Sequence, residues 1–238
     1  MRRVVRAEFL DSDDGTPQEI AAALADLRRV NRWFGGVRTT RALLETVAWR
    51  TRRQEFSALD VACGSGDSCL QAAEELSERD IWIRVMLLDR AASHLPRNGA
   101  RRLVGHALRL PFADNSFDVV SCALFVHHLE PAQVVEFVNE ALRVARVAVA
   151  INDLRRSARH LALVAAGRPL FRSRMAWQDG LTSVRRAYTT EEIAELLHRT
   201  AAVRVQVTPS YLFRFAALAW KGTEVRETPA GAPAVRRQ

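Results

Sequence analysis

Cysteine, lysine and long apolar runs are scarce in this sequence, and each scarcity argues against a class of protein. The 238 residues contain three cysteines, which form neither a CxxC pair nor the even set that a disulfide framework needs. We therefore expect a reducing compartment, the cytoplasm. The apolar runs all fall short of the roughly 18 residues that a membrane-spanning helix requires. The charged N-terminal residues are not followed by the apolar stretch of a secretory signal, so we expect neither a membrane span nor secretion.

Lysine is almost absent, although the chain is basic. Lys221 is the single lysine among 35 basic residues, and the formal net charge is +8. An excess of positive charge is a first sign of nucleic-acid binding. The arginines are instead dispersed along the chain, often as pairs, without a basic run of five or more residues. We therefore expect that nucleic acid is not the partner.

Glycine and proline, at 11 and 8 residues, are too few for a collagen-like or low-complexity chain, and 48% of the residues are hydrophobic. This composition predicts one globular domain with a substantial core. Residues 1–54 are predicted to form an irregular arm and a cap of two amphipathic helices. The main domain is predicted over residues 55–222, with a lid-like insertion at 154–188. Residues 223–238 have the composition of a disordered tail.

From residue 57 onward, strand-like and helix-like runs alternate, which predicts an α/β fold with a parallel sheet covered on both faces. Two closely connected strands near the C-terminus, 203–207 and 213–220, predict a terminal antiparallel hairpin. The other strand-like runs are 57–62, 82–88, 102–107, 117–122 and 144–151, and the helix-like runs include 39–51, 69–79, 131–142 and 190–199.

A glycine loop with acidic flanks lies at the predicted end of the first strand. It reads LDVACGSGD over residues 59–67. Its glycines, Gly64 and Gly66, let a ligand approach the backbone closely. The third glycine of a dinucleotide loop and the Lys-Ser/Thr pair of a phosphate-binding loop are both missing. The flanking acids, Asp60 and Asp67, favour a cationic ligand over a pyrophosphate.

This loop closely resembles motif I of class I S-adenosylmethionine-dependent methyltransferases. Two further stretches are similar to the same family. One is MLLD, which ends the second predicted strand at Asp89. The other is GHALRLPF over residues 105–112, which is similar to GDAxxLPF of the ubiquinone/menaquinone-biosynthesis-like branch. The resemblance implies a Rossmann-like, seven-stranded, mostly parallel sheet, methyltransferase activity and S-adenosylmethionine as the cofactor.

The resemblance also implies how the methyl donor is bound. The acid that ends the second strand, Asp89, is expected to accept hydrogen bonds from both ribose hydroxyls. His106 stands where the family has the acid that accepts from the adenine amino group. A neutral ring nitrogen of His106, or the backbone of His106 and Ala107, is then expected to take that role.

The segment DLRRVNR over residues 26–32, which together with Trp33 we call the leader, precedes the main domain. It is similar to a leader with an Arg-x-Asn-Arg run in a bacterial subgroup of the family. On this resemblance, Asn31, Arg32 and Trp33 are expected to close over the donor; a solvated helix end is the alternative. The predicted cofactor-binding residues are Asp60, Ala62, Gly64, Gly66, Asp67, Asp89, Arg90, His106, Ala107, Leu124, Arg32 and Trp33.

Two adjacent histidines, His127 and His128, follow the predicted fourth strand, where the transferred methyl is expected. Methyl transfer from a sulfonium is an in-line displacement, so alignment is the main requirement. A hydroxyl acceptor must also lose a proton, which suits a histidine near neutral pH. Either histidine is a candidate catalytic base; alternatively, one of them caps or packs against the helix that begins at Pro131. The six histidines show no spacing typical of metal ligands, so no metal is expected.

The sequence thus predicts an enzyme of secondary metabolism. It is expected to transfer a methyl group from S-adenosylmethionine to an oxygen, or as second choice a carbon, of a small phenolic, quinone or polyketide-type metabolite. Two alternatives stay open: an RNA or protein methyltransferase, which only the basic charge favours, and a donor-binding protein without catalysis. We expect a monomer or homodimer.

Overall fold

One seven-stranded sheet carries the fold. The computed structural model describes residues 1–11, 15–96 and 99–222, and the predicted disordered tail, 223–238, lies outside them. The sheet order is β3-β2-β1-β4-β5-β7-β6. The strands are β1 (Glu55–Val61), β2 (Trp82–Asp89), β3 (Arg102–Val104), β4 (Phe117–Ala123), β5 (Ala145–Leu154), β6 (Arg204–Ser210) and β7 (Arg214–Trp220).

The first five strands pair in parallel, and β7 runs antiparallel to both of its neighbours, β5 and β6. The predicted mostly parallel sheet with a terminal antiparallel hairpin is therefore confirmed. From β1, the chain moves outward to β2 and β3 and then crosses back to β4 on the other side. Open α/β sheets bind ligands at such a reversal, outside the carboxyl ends of the strands.

Helices cover both faces of the sheet. Among them, α1 and α7 begin with reciprocal Thr–Glu capping boxes, Thr16 with Glu19 and Thr189 with Glu192, which satisfy backbone N–H groups of the first turn. The helices of the described residues are α1 (Pro17–Trp33), α2 (Gly36–Thr51), α3 (Asp67–Ser77), α4 (Pro131–Val144), α5 (Ala158–Ala166), α6 (Arg174–Arg186) and α7 (Thr190–His198).

The second helix begins at Gly36, three residues earlier than the sequence predicts. Gly35 separates it from α1 with a left-handed backbone conformation, at φ +78°. A Cβ atom at Gly35 would lie 2.9 Å from the Tyr211 ring, so a side chain there would be strained both by φ and by contact. This sharp turn folds α1 back over the carboxyl edge of the sheet.

The core occupies both faces of the sheet. On one face, Phe137 of α4 and Ile193 of α7 are fully buried together with Phe215 of β7. On the other face, Leu44 of α2 and Leu76 of α3 are buried. Each such side chain contributes about 1.5–3 kcal/mol when it leaves water. Burial on both faces explains why inner strands such as β4 and β7 are mainly apolar rather than alternating.

The N-terminal arm lies against the segment at 154–188, which forms α5 and α6. The backbone N–H of Val4 donates to the carbonyl of Arg185 (3.0 Å), and that of Phe9 donates to the carboxylate of Asp179 (2.9 Å). The arm is thereby fixed beside the carboxyl ends of the strands. Among the described residues, we find no helix that is both long and apolar enough to cross a membrane.

Candidate active site

A cavity of about 570 Å³ opens at the carboxyl ends of β1, β2 and β4. Its walls come from the glycine loop, the end of β2, the turn after β3, the segment after β4, the N-terminal arm and α1. The position is the reversal point of the sheet, where the topology favours a ligand site. Of the predicted site residues, those that line the cavity are Asp60, Ala62, Gly64, Asp67, Asp89, Arg90, His106, Ala107, Leu124 and His128.

The glycine loop has an unusual backbone. Ala62, Gly64 and Gly66 all have positive φ, at 52°, 54° and 73°. Gly66 lies behind the cavity wall, and a Cβ atom there would be 2.6 Å from the side chain of Leu87. Gly64 borders the cavity, and a Cβ there would meet no described atom within 4 Å. The loop therefore exposes backbone to the cavity, and Ala62, a residue other than glycine at positive φ, has the strained backbone that is often found at ligand sites.

Asp89 holds the glycine loop to the end of β2. Its two carboxylate oxygens accept hydrogen bonds from the backbone N–H groups of Gly64 (2.7 Å) and Ala91 (2.9 Å). A carboxylate offers about four lone-pair positions. Asp89 can therefore accept two further hydrogen bonds from a ligand in the cavity.

Asp60 is a buried acid with an unused oxygen. Burial raises its pKa to about 8 and the charge of Asp89 adds to this, whereas a hydrogen bond from Ser121 opposes the shift. Its Oδ1 atom is buried and has no hydrogen-bond partner among the residues that the structure describes. A cationic ligand in the cavity would supply the partner that this oxygen lacks.

Because Asp60 holds its proton more tightly in the folded state, we expect it to make the protein less stable as pH rises from about 4 to about 8. Over this window the unfolded chain releases the proton and the folded chain keeps it, so the free energy of unfolding falls. Asp60→Asn removes the titration, and its stability relative to wild type is expected to increase across the window. Urea unfolding at several pH values measures this; Glu195→Gln on the exposed face of α7 is the control. If the free energies of unfolding of Asp60→Asn and wild type differ by the same amount at every pH, the prediction is wrong.

The two histidines lie in different environments. His128 lines the cavity, and its Nδ1 is 2.9 Å from the carboxylate of Asp11. His127 is buried and does not line the cavity; its Nδ1 is 2.7 Å from Oδ1 of Asp153, and its Nε2 is 3.6 Å from Oε1 of Glu8. Burial alone would lower the pKa of His127, but Asp153 and Glu8 raise it to about 9.

The N-terminal arm supplies two acids that the sequence does not point to. Glu8 and Asp11 line the cavity beside His128. Arg186 of α6 reaches the same place, with Nη1 at 2.8 Å from Asp11 and 3.8 Å from Glu8. The cavity thus has a glycine loop at one wall and a dense cluster of titratable side chains at another.

Residues 59–148 match the family model described as a methyltransferase domain. This match covers the glycine loop, the strand that ends at Asp89 and both histidines. The chain contains a class I S-adenosylmethionine-dependent methyltransferase domain. The predicted enzyme class and cofactor are confirmed, whereas the ubiquinone/menaquinone-like branch stays a prediction.

Solved structures with the same fold include several methyltransferases. An S-adenosylmethionine-dependent methyltransferase from Aquifex aeolicus is 19% identical over 70% of this chain and 82% of its own, with a TM-score of 0.50. The plantazolicin methyltransferase BpumL, crystallised with S-adenosylhomocysteine, is 14% identical over 87% and 99%, with a TM-score of 0.55. The magnesium protoporphyrin IX methyltransferase from Synechocystis PCC 6803 is 13% identical over 90% and 96%, also at 0.55. No curated protein sequence matches this chain significantly.

The residues around the cavity of this methyltransferase fit its cofactor. S-adenosylmethionine carries a positive sulfonium and a positive ammonium group. The cavity presents the unpartnered oxygen of Asp60 and the carboxylates of Asp67 and Asp89. The backbone at Gly64 is open for close approach. The site therefore complements a cationic nucleoside in both charge and space.

His106 differs from the sequence interpretation in one respect. Its Nδ1 accepts a hydrogen bond from the backbone N–H of Leu108 (3.2 Å), so Nε2 carries the proton of the neutral ring. The ring then has no free acceptor for an adenine amino group. The strand before it is also shorter than the predicted 102–107, because the chain turns after Val104 and His106 pairs with Arg109.

The leader contributes one of its three predicted residues to the cavity wall, together with one residue that was not predicted. Asn31 lines the cavity, and so does Arg28, three residues before it on the same face of α1. Arg32 and Trp33 are exposed and do not line it; 57% of Trp33 is accessible, and its ring packs against Arg29 instead. Trp33 is two residues after Asn31, which is about 200° of helix rotation, so its side chain points away from the cavity. The expectation that Arg32 and Trp33 cover the donor is corrected accordingly.

Proposed function

We propose that this methyltransferase acts on a hydroxyl oxygen of a small phenolic, quinone or polyketide-type metabolite, with carbon as the second choice. The observation that carries the proposal is that one cavity combines the glycine loop with the cluster of Glu8, Asp11 and His128. A donor held by the loop and an acceptor held by the cluster would meet in a space that the N-terminal arm and α1 enclose. We also propose a cytoplasmic location and a monomer or homodimer.

For the donor, we propose that Asp89 accepts the ribose hydroxyls with its remaining lone pairs. Asp60 and Asp67 face its positive groups, and Gly64 allows the backbone contact. Gly66 shapes the loop from behind the wall. We assign the remaining cavity-lining positions to donor contacts as well: Ala62, Arg90, His106, Ala107 and Leu124.

For the acceptor, we propose that His128 is the catalytic residue and that His127 is a positioning residue. His128 reaches the cavity, whereas His127 is buried behind it and fixed by Asp153. The bound donor supplies an electrophilic methyl group. The acceptor oxygen would form the new bond to the methyl carbon as the donor's sulfur–carbon bond breaks, and His128 would take the proton of the acceptor hydroxyl. The products are a methyl ether and S-adenosylhomocysteine.

Two observations favour a small acceptor over RNA or protein. The acceptor wall lies in the same cavity as the glycine loop, and its volume of about 570 Å³ is typical of a small-molecule pocket. The fold also accommodates acceptors of this size, because similar solved structures include a magnesium protoporphyrin IX methyltransferase and BpumL with a desmethylPZN analogue. The basic charge of +8 remains the only feature that favours a nucleic acid.

The experiment has a binding step and a turnover step. Calorimetry with S-adenosylhomocysteine is expected to give one site per chain. A panel of phenols, hydroxyquinones and polyketide-like compounds is then incubated with S-adenosylmethionine, and mass spectrometry is expected to detect a methyl ether. His128→Ala is expected to lower turnover at least about tenfold without changing the affinity for S-adenosylhomocysteine, and His198→Ala on exposed α7 is the matched control. Turnover only with RNA or protein, or donor binding without any turnover, would each contradict the proposal.

A further inference from the structure

Glu8, His127 and His128 form a cluster whose spacing does not match hydrogen bonding. One ligand atom from each of the three lies within 4.8 Å of the other two. His127 Nε2 is 3.6 Å from Glu8 Oε1, and His128 Nε2 is 3.8 Å from Glu8 Oε2. Hydrogen bonds between such atoms are usually about 2.7–3.2 Å long. The three side chains therefore face a common point at ion-pair distances that are longer than hydrogen bonds.

Two of the facing atoms are buried and unused. Glu8 is 7% exposed and His127 is 2% exposed. Within the described part of the chain, Glu8 Oε1 and His127 Nε2 have no hydrogen-bond partner. A buried polar atom without a partner is costly, so such atoms call for an explanation. Zinc binds histidine nitrogen and carboxylate oxygen at about 2.0–2.2 Å, which places tetrahedral ligand atoms about 3.4 Å apart. The observed separations are close to that value.

Asp153 fixes His127 on the side opposite Glu8. Its Oδ1 is 2.7 Å from His127 Nδ1, and its Oδ2 accepts the backbone N–H of His127 at 3.1 Å. A histidine that ligates a metal usually donates its other ring N–H to a carboxylate or carbonyl, which fixes the ring and its tautomer. Asp153 thus turns Nε2 of His127 toward Glu8, where a bound metal ion would replace the proton on Nε2.

The charge of the surroundings also favours a cation. The charged side chains that face the cluster are Asp11 beside His128, Asp153 beside His127, and Arg186, which contacts Asp11 and lies 3.8 Å from Glu8. With Glu8, three carboxylates lie around the cluster against one guanidinium, so the surroundings have an excess of acidic groups that favours a cation.

We propose that Glu8, His127 and His128 bind one divalent transition-metal ion, with zinc as the preferred ion. Two histidines and one glutamate are a ligand set of zinc sites that keep a fourth position open. Glu8 and His128 line the cavity, so the open position faces the acceptor. This inference rests on the proposed function: the open coordination position of the ion would take the acceptor oxygen, and His128 would act on the acceptor through the ion.

The test uses the full chain, stripped of metal with a chelator and verified by elemental analysis. Calorimetric titration with zinc chloride is expected to show one zinc per chain, and cobalt(II) is expected to produce visible absorption bands of a four-coordinate ion. Magnesium chloride is expected to give no heat, because Mg²⁺ prefers oxygen ligands in an octahedral arrangement. Glu8→Gln and His128→Gln are each expected to weaken zinc binding at least about tenfold.

A matched control removes a possible surface site. Glu195 and His198 lie three residues apart on the exposed side of α7, and the double variant Glu195→Gln/His198→Ala is expected to bind zinc as wild type does. The proposal is overturned if wild type binds no zinc, if both cluster variants bind it unchanged, or if the control loses it. S-adenosylhomocysteine titrated into the same samples separates the two proposals: donor binding and turnover without zinc would leave the proposed function standing and remove the metal site.

Discussion

Replacing Asp89 by alanine is expected to weaken the binding of S-adenosylhomocysteine at least about a hundredfold, since hydrogen bonds to a charged group are worth about 1.5–3 kcal/mol each. On our proposal the ligand loses two such bonds from its ribose hydroxyls. The glycine loop also becomes less ordered, because the same carboxylate accepts a hydrogen bond from the backbone N–H of Gly64 at 2.7 Å. Calorimetry at neutral pH measures the change in Kd.

Asp118→Ala controls for the general cost of deleting a buried acid. Asp118 also accepts a hydrogen bond from a backbone N–H, that of Ser57 at 2.8 Å, but it lies at the start of β4, away from the cavity. We expect the two variants to lose similar stability, whereas Asp118→Ala keeps its affinity for S-adenosylhomocysteine within about twofold. Equal affinity of Asp89→Ala and wild type would refute the ribose assignment.

The features that the sequence predicts well are local. The order of strands and helices follows from runs of a few residues, and the glycine loop is a contiguous motif whose conformation depends on Gly64 and Gly66 themselves. The acid that ends β2 is likewise found by counting along one strand. Sheet topology then follows because parallel crossovers allow few alternatives.

The features that the sequence does not reveal depend on contacts between distant segments. Glu8 and Asp11 belong to an arm without periodicity, and only the packing of that arm on α6 brings them to His128. The expectation that no metal binds stays a prediction that our proposed site opposes; it rested on spacing along the chain, which cannot show that an acid of the distant arm lies beside the histidines. Of the three leader residues predicted, Asn31 lines the cavity, whereas Arg32 and Trp33 are exposed; Arg28, which was not predicted, lines the cavity as well.

Arg214 joins the helical cap to the sheet, and nothing in the sequence distinguishes it from the other arginines. It is 2% exposed. Its guanidinium donates to the carbonyl of Phe34 (3.0 Å) and to the side-chain oxygens of Asn31 (2.6 Å) and Asn152 (3.2 Å). Asn152 in turn donates to the carbonyl of Gly36 at 2.8 Å. The end of α1, the start of α2 and strands β5 and β7 are thereby held by one side chain.

Arg214→Ala is therefore expected to lower the free energy of unfolding by about 3 kcal/mol or more, because each buried acceptor left without a donor costs about 1–3 kcal/mol. Arg214→Lys is expected to recover little, since a single ammonium cannot reproduce three directed bonds. Urea unfolding measures both variants. Arg146→Ala, at an exposed arginine 3.6 Å from Asp118, is the control and is expected to stay within about 1 kcal/mol of wild type.

Replacing Arg214 is also expected to affect cofactor binding. Asn31 lines the cavity, and without Arg214 it loses the hydrogen-bond donor that orients its side chain. Asn31 also donates to Ser68 at 2.6 Å, at the start of α3 beside the glycine loop. We therefore expect Arg214→Lys, where it remains folded, to bind S-adenosylhomocysteine more weakly than wild type, whereas Arg146→Ala binds it unchanged. If Arg214→Ala loses less than about 1 kcal/mol, a typical value for a single ordinary hydrogen bond, the cap is held by its apolar contacts and the network does not join it to the sheet.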